Sequence, residues 1–122
     1  MTDLPRPDIE FREFLEQGRF MIQRSRSTGN HVFFPRVMDP RTGAMDLEWV
    51  EASGRGTVHA STVVRVKPPA PSYNVCLIDL AEGPRMMSRV EGIEPEQVQA
   101  GMAVVAKIIM EDDQALVVFT PE

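Results

Sequence analysis

Cysteine and histidine are scarce in this sequence, which limits the chemistry that it can hold. The 122 residues include one cysteine, Cys76, and two histidines, His31 and His59. A single cysteine excludes an internal disulfide and is typical of proteins in a reducing cytoplasm. Cys76 stands in the apolar run 75–78, so we expect a buried, unreactive thiol. Two histidines are too few for a metal centre built from imidazoles alone.

Long apolar runs and catalytic signatures are also missing. No stretch approaches the roughly 20 consecutive apolar residues that a membrane-spanning helix needs. The N-terminal residues lack the apolar core of a secretory signal, so the expectation is a cytoplasmic protein with no membrane partner. The sequence contains no G-x-x-x-x-G-K-[ST], G-x-G-x-x-G or G-x-S-x-G motif. It therefore gives no indication of a nucleotide-binding loop or of a serine hydrolase. A Ser-His-Asp arrangement assembled by the fold stays open at this point.

Basic residues are outnumbered overall but concentrated in one segment. The formal net charge is −5, which disfavours a general nucleic-acid binder, since such proteins need a basic surface to displace counterions from phosphates. Residues 19–41 nevertheless contain five arginines and a single acid, Asp39. Residues 91–122 are rich in acids. The basic segment is therefore the better candidate for contact with a phosphate-bearing ligand or an acidic partner.

The pattern predicts one short helix at the N-terminal end. Residues 8–17 combine a capping Asp8 with an apolar stripe, and Gly18 ends the segment. A helix this short is not stable alone and must dock on another surface. That surface can belong to the same chain or to a second protein, and the sequence favours neither. The side chains that would make the contact are Phe11, Phe14 and Leu15.

The remainder reads as short strands and turns. We expect strands at 20–23 and 31–34, and then at 47–52, 57–66, 73–80, 84–90, 102–110 and 115–119. Residues 67–72 contain three prolines and must form a loop, because proline cannot donate to a sheet. Glycine-rich corners between the later strands indicate a small closed β-barrel.

Two segments of the basic region have the outline of metal-binding knuckles without their cysteines. Residues 25–29 read Ser-Arg-Ser-Thr-Gly, as a C-x-x-C-G knuckle would with the cysteines replaced. Residues 39–43 read Asp-Pro-Arg-Thr-Gly, the outline of C-P-x-C-G. We call these the first and second knuckle.

The order of these features resembles a known family. The features are the short helix, the paired knuckles, "LEWVEASGRGTVHASTVV", a proline-rich loop ending in tyrosine, "LAEGPRMMSRVEG", "PEQVQAGMAVV" and "VVFTP". Together they resemble the zinc-ribbon plus OB-fold family, domain of unknown function thirty-five, over residues 8–121. The resemblance implies a mainly β fold with an N-terminal helical segment (1–19), a degenerate rubredoxin-like ribbon (20–45) and an OB-fold barrel (46–122).

The same resemblance implies a function. Members look like non-catalytic accessory subunits of acyl-CoA-processing enzymes, such as thiolase-like acyltransferases, aldolases or hydratases, and some look able to contribute to acyl-CoA binding. It supplies no catalytic residue. Candidates for contact with the partner or acyl-CoA are Phe33, Phe34, Arg36, Arg85 and Arg89. The alternatives are a nucleic-acid-binding OB-fold domain and an independent small enzyme.

The resemblance places the family's metal ligands at Ser25, Thr28, Asp39 and Thr42. Structural zinc needs four ligands, usually thiolates or imidazoles. Hydroxyls bind zinc poorly at neutral pH, which leaves Asp39 as the one side chain of the four that could contribute. We therefore expect no zinc, with acyl-CoA as the one candidate small-molecule ligand. Hydrogen bonds from these polar side chains to the backbone are expected to replace the metal. Elemental analysis that found stoichiometric zinc would contradict this expectation.

Overall fold

The computed structural model describes residues 6–68 and 70–122. Residues 1–5 of the predicted N-terminal segment, and Pro69 in the proline-rich loop, lie outside the described residues. The described residues contain one helix, α1 (Pro7–Glu16), and a 3₁₀ turn (Pro95–Gln97). Its strands are β1 (Met21–Ser25), β2 (His31–Val32), β3 (Leu47–Glu51), β4 (Arg55–Val64), β5 (Tyr73–Leu80), β6 (Arg85–Ser88), β7 (Ala103–Glu111) and β8 (Gln114–Pro121). The predicted mainly β fold is confirmed.

The helix begins one residue earlier than the sequence predicted. Pro7 lies in the first turn, where a backbone N–H would have no partner within the helix, so the missing N–H of proline costs nothing. The N-cap residue is Arg6, whose side chain makes no capping hydrogen bond. The prediction of Asp8 as the cap was wrong. Asp8 lies inside the first turn, where its negative charge still favours the positive end of the helix dipole.

Two antiparallel sheets follow the helix. The first has the order β2-β1-β3, and the second has the order β6-β5-β4-β7-β8. The second sheet curls until the segment after β6 meets β8. The Phe119 N–H donates to the Arg89 carbonyl at 2.9 Å, and the Glu91 N–H donates to the Phe119 carbonyl at 2.7 Å. This parallel bridge brings the outer strands of the OB-fold barrel together.

The strand β3 pairs with a strand of the ribbon, which the sequence analysis did not predict. Its sequence was assigned to the barrel segment that starts at residue 46, yet its hydrogen-bonded neighbour is β1, with Gln23 opposite Trp49 and Ser25 opposite Leu47. It thereby completes the sheet of the ribbon, and the barrel sheet starts at β4. Strand composition indicates that a segment is extended, but it does not indicate which strand will pair with it.

Alternation along the strands builds the barrel core. In β5 the inward positions Asn74, Cys76, Ile78 and Leu80 are all buried while the residues between them are more exposed, as the two-residue period of a strand requires. Phe119, Val104 and Val58 complete the centre of this core. Cys76 is buried, as predicted.

Candidate functional site: the knuckles and the arm between them

The two knuckles share one backbone conformation. In the first, the Gly29 N–H donates to the Ser25 carbonyl at 2.8 Å, and in the second the Gly43 N–H donates to the Asp39 carbonyl at 2.8 Å. Both glycines have φ of 76°, a left-handed conformation that other residues resist. The first residue of each knuckle also donates its N–H five residues onward, at 2.9 Å in both cases. The frame that the sequence outlined is therefore present twice.

Hydroxyl groups occupy three of the four positions where the family has metal ligands, and they cap the turns. Thr28 Oγ1 accepts from the Asn30 N–H, and Thr42 Oγ1 accepts from the Ala44 N–H, both at 3.2 Å. Ser25, which is fully buried, accepts from the Thr28 N–H at 3.4 Å. These bonds are the backbone contacts that the sequence predicted in place of metal ligation.

A residue that the sequence reasoning missed supports the first knuckle. Asp46 accepts from Ser25 Oγ at 2.8 Å and from the Ser27 N–H at 2.6 Å. Hydrogen bonds from Ser27 and then Ser25 hold the pKa of the Asp46 carboxyl below its ordinary value. No local pattern indicated this role of Asp46. It follows from the pairing of β3 with β1, which brings Asp46, the residue before Leu47, next to the first knuckle.

The donor set does not fit structural zinc. It consists of three hydroxyls that already bond to the backbone and one carboxylate. Asp39 is 1% exposed; its Oδ1 accepts from the Arg41 N–H at 2.8 Å, and its Oδ2 has no partner within the described part of the chain. Across residues 6–68 and 70–122, no three His, Cys, Asp or Glu side chains are placed to hold a metal ion together.

An aromatic cluster fastens the helix to the rest of the chain. Phe11 lies 5.5 Å from Phe33 and 6.4 Å from Phe20, measured between ring centroids, and both contacts are edge-on. Trp49 of β3 packs on Phe14 at 5.3 Å. The helix also packs against β8, and Leu15 is buried in the core. The helix side chains proposed for docking therefore contact this chain itself, which favours the intramolecular alternative.

The adjacent candidates Phe33 and Phe34 have different environments. Phe33 packs against the core through Phe11 and Phe20, whereas Phe34 is 56% exposed. Phe34 also has φ of 35°, a left-handed conformation that is unfavourable for an aromatic residue. Of the pair, Phe34 is the residue whose side chain is exposed to solvent.

A second missed residue, Gln23, holds the segment that follows Phe34. Its Nε2 donates to the Arg36 carbonyl and its Oε1 accepts from the Arg36 N–H, each at 2.6 Å. Gln23 is buried in the middle of β1. A polar residue at an inward strand position was the available signal, because a buried amide must find partners for both ends. We call residues 34–38, which this clamp positions, the arm.

The two barrel arginines that the sequence analysis proposed, Arg85 and Arg89, are already paired with carboxylates. Arg85 Nε donates to Asp79 Oδ1 at 2.6 Å, and this bond is the main cause that lowers the pKa of Asp79. Arg89 bonds to Glu91 at 2.8 Å and to Glu111 at 2.9 Å. Glu111 is the main cause that raises the pKa of Arg89. A CoA phosphate at either arginine would have to compete with these carboxylates.

Two alternatives find little support in the described structure. Nucleic-acid binding by the barrel would need several exposed aromatic side chains beside basic residues. Of the three aromatic residues at 46–122, Phe119 is fully buried and Trp49 packs on the helix, so Tyr73 alone is exposed, at 46%. A Ser-His-Asp arrangement would need a serine beside a paired histidine and aspartate. His59 and Asp79 lie 3.5 Å apart, but the third side chain at this pair is Arg85, which contacts His59 at 3.2 Å.

Among the described residues, no helix combines the length and apolarity that crossing a bilayer requires.

Comparison with known proteins decides the family. A family model described as "ChsH2, C-terminal OB-fold domain" matches residues 49–108. A DUF35 domain-containing scaffold protein of Pyrococcus furiosus is 32% identical, over 85% of this chain and 80% of its own length. This chain belongs to the DUF35 family. The family resemblance that the sequence indicated is thus confirmed.

Two other proteins similar to this DUF35 chain are described as parts of larger assemblies. A solved structure described as "Ltp2-ChsH2(DUF35) aldolase" has a TM-score of 0.82 and 30% identity, and covers 99% of this chain and 98% of that chain. A probable enoyl-CoA hydratase alpha subunit of Thermomonospora curvata is 35% identical over 96% of this chain, but the match spans 40% of that subunit's length. A DUF35 structure from Sulfolobus solfataricus, with 16% identity and a TM-score of 0.68, supports the fold alone.

Proposed function

We propose that this chain is a non-catalytic accessory subunit that binds an acyl-CoA-processing enzyme. The observation that carries the proposal is the match over nearly the full length of both chains to the DUF35 chain of the Ltp2-ChsH2 aldolase structure. The hydratase alpha subunit that contains a similar segment points to the same class of partner. An aldolase or a hydratase is therefore favoured over a thiolase-like acyltransferase.

The geometry is consistent with a binding role. Most polar side chains singled out by the sequence are bonded within the chain: the knuckle residues to backbone, and Arg85 and Arg89 to carboxylates. Exposed apolar side chains instead collect on the ribbon, at Phe34, Val37 and Met38. Such a collection beside exposed arginines is typical of a protein-binding surface.

A contribution to acyl-CoA binding is the finer part of the proposal. Arg85 and Arg89 remain its candidates, although each must exchange a carboxylate for a phosphate. A phosphate can replace a carboxylate at a guanidinium because it accepts the same pair of parallel hydrogen bonds.

The test is co-purification of the tagged chain from its native cells, with mass spectrometry of the recovered proteins. We expect a stoichiometric aldolase, hydratase or thiolase-like enzyme. The complex should also gain heat stability with an acyl-CoA, by mass action, and lose that gain in the Arg85→Ala, Arg89→Ala double variant. Recovery of no such enzyme would refute the accessory role, whereas an unchanged gain in the double variant would refute the arginine contacts alone.

A further inference from the structure

The arm exposes an unusual share of apolar surface for five residues. Phe34, Val37 and Met38 are 56%, 40% and 46% exposed, respectively. Single exposed apolar residues are ordinary on protein surfaces, but several together mark an interaction site. In this segment they lie between the two knuckles, on a loop whose ends are both anchored.

The conformation of the arm is supported by contacts within the chain. Phe34 keeps its unfavourable positive φ, and the buried Gln23 holds the next turn by bonding both ends of the Arg36 peptide unit. A strained residue persists only where its surroundings hold it, and such residues gather at functional sites. A loop ordered in advance loses less entropy on association.

A hollow of about 340 Å³ lies directly behind Phe34. Its walls include Phe34, Pro35, Met87 and Leu116, with Arg12 and Asp8 from the helix. Met87 is 61% exposed at this site, and methionine adapts readily to the shape of a partner. The hollow has room for one apolar side chain of a partner to fit between the arm, the helix and the barrel.

The charge around the arm indicates the chemistry of that partner. Arg36 and Arg41 are exposed, and within the part of the chain that the structure describes neither has a carboxylate within 4.0 Å. The single acid between residues 31 and 45 is Asp39, which is buried and bonded to backbone. A matching surface must supply the missing negative charge.

We propose that the arm and the hollow are the docking site for the partner enzyme, whose face presents an apolar side chain surrounded by carboxylates. This proposal rests on the accessory function proposed above and names the surface that performs it. Phe34 is the central contact, Arg36 is a charged contact at its margin, and Gln23 is a positioning residue.

The test compares the affinity of variants for the acyl-CoA enzyme that co-purifies with the wild-type chain. Phe34→Gly is the sharpest variant, because it removes the ring together with the strain of the positive φ. Relief of that strain offsets the backbone entropy that glycine adds to the unfolded state, so the fold should be retained. We expect its affinity to fall at least about tenfold, as for a central contact residue. Met110→Ala is the matched control, since Met110 is 65% exposed but lies on β7 of the barrel, and its affinity should stay within about twofold.

Charge reversal tests the second half of the proposal. Arg36→Glu should weaken binding at low salt, mainly through slower association, and the deficit should shrink as salt is added. If the enzyme is captured but folded Phe34→Gly binds within about twofold of wild type, the docking site is wrong and the accessory function stands. If Arg36→Glu binds as wild type at low salt, the partner face is not acidic. If no acyl-CoA enzyme is captured at all, both proposals fail together.

Discussion

Gly56 is the position where the barrel leaves least room for a side chain. It lies opposite Leu80 of β5 and Val104 of β7. A Cβ added there would stand 2.7 Å from Ile78 Cγ2, 3.1 Å from the Asp79 carbonyl oxygen and 3.7 Å from Phe119 Cε2. Ile78 and Phe119 are fully buried, and the Asp79 carbonyl belongs to a strand that is paired on both sides. None of these three neighbours can move away from the added Cβ at low energetic cost.

We therefore expect Gly56→Ala to destabilise the protein. Overpacking a buried site costs about 1–3 kcal/mol, and the lower backbone entropy of alanine in the unfolded state offsets about 0.4–1 kcal/mol. The expected net loss is about 1–2 kcal/mol, which for a chain of this size lowers Tm by roughly 4–8 °C. Urea unfolding should show a lower midpoint with an unchanged m-value.

A double-mutant cycle identifies the cause. Ile78→Ala removes the methyl group that the new Cβ would meet. The double variant should therefore lose less stability than the sum of the losses in the two single variants, by about 0.5 kcal/mol or more. Cavity formation makes Ile78→Ala costly in itself, at about 2–5 kcal/mol, so the coupling rather than the total is the informative quantity. A Gly56→Ala protein as stable as wild type within about 0.5 kcal/mol, or strict additivity in the cycle, would refute this account of the strand spacing.

Two further predictions concern the knuckles. Asp46→Asn should lower the urea midpoint at neutral pH, because the amide nitrogen cannot accept the bond from Ser25. Folding lowers the pKa of Asp46, so the stability that its charge contributes is complete above about pH 4 and is lost as pH falls through the lowered folded pKa. The free energies of unfolding of the two proteins should therefore converge in acid. A difference in stability that stays constant with pH would contradict this role. Replacing the four ligand positions, Ser25, Thr28, Asp39 and Thr42, with cysteine should create a site for one zinc ion. Elemental analysis should then find zinc in the variant and none in wild type, and a chelator should lower the Tm of the variant alone; a variant that binds no zinc would show that the two knuckles do not face each other as a tetrahedral site requires.

Local pattern was sufficient for most of the barrel. The alternation in β5 and the turn residues between strands predict each strand from its own residues, and the buried Cys76 follows from its apolar neighbours. The knuckles were equally visible, because Gly29 and Gly43 mark left-handed turns wherever the rest of the chain lies.

The parts that sequence reasoning missed depend on contacts between distant segments. The pairing of β3 with β1, the bond of Asp46 to Ser25 and the clamp of Gln23 on Arg36 join residues 13 or more positions apart. The adjacent residues Phe33 and Phe34 also show that sequence alone does not determine which side chain is buried. Their residue type is identical, and only the position of the helix and of β1 decides that one packs inside and the other is exposed.

The retained knuckle frame has a physical explanation that does not require metal. The arm begins after β2 and ends where the second knuckle starts, so the knuckles hold both ends of the loop that presents Phe34. Each knuckle keeps the same two backbone bonds, at 2.8 and 2.9 Å, that fix the direction of the chain. The side chains that replace the thiolates need only cap those turns, and a hydroxyl accepts a backbone N–H well enough to do so. If the function of the ribbon is to display the arm, loss of the metal is tolerated as long as the turns survive. The cysteines of the family's knuckles can therefore be replaced at little cost, whereas another residue at either left-handed glycine would strain the backbone.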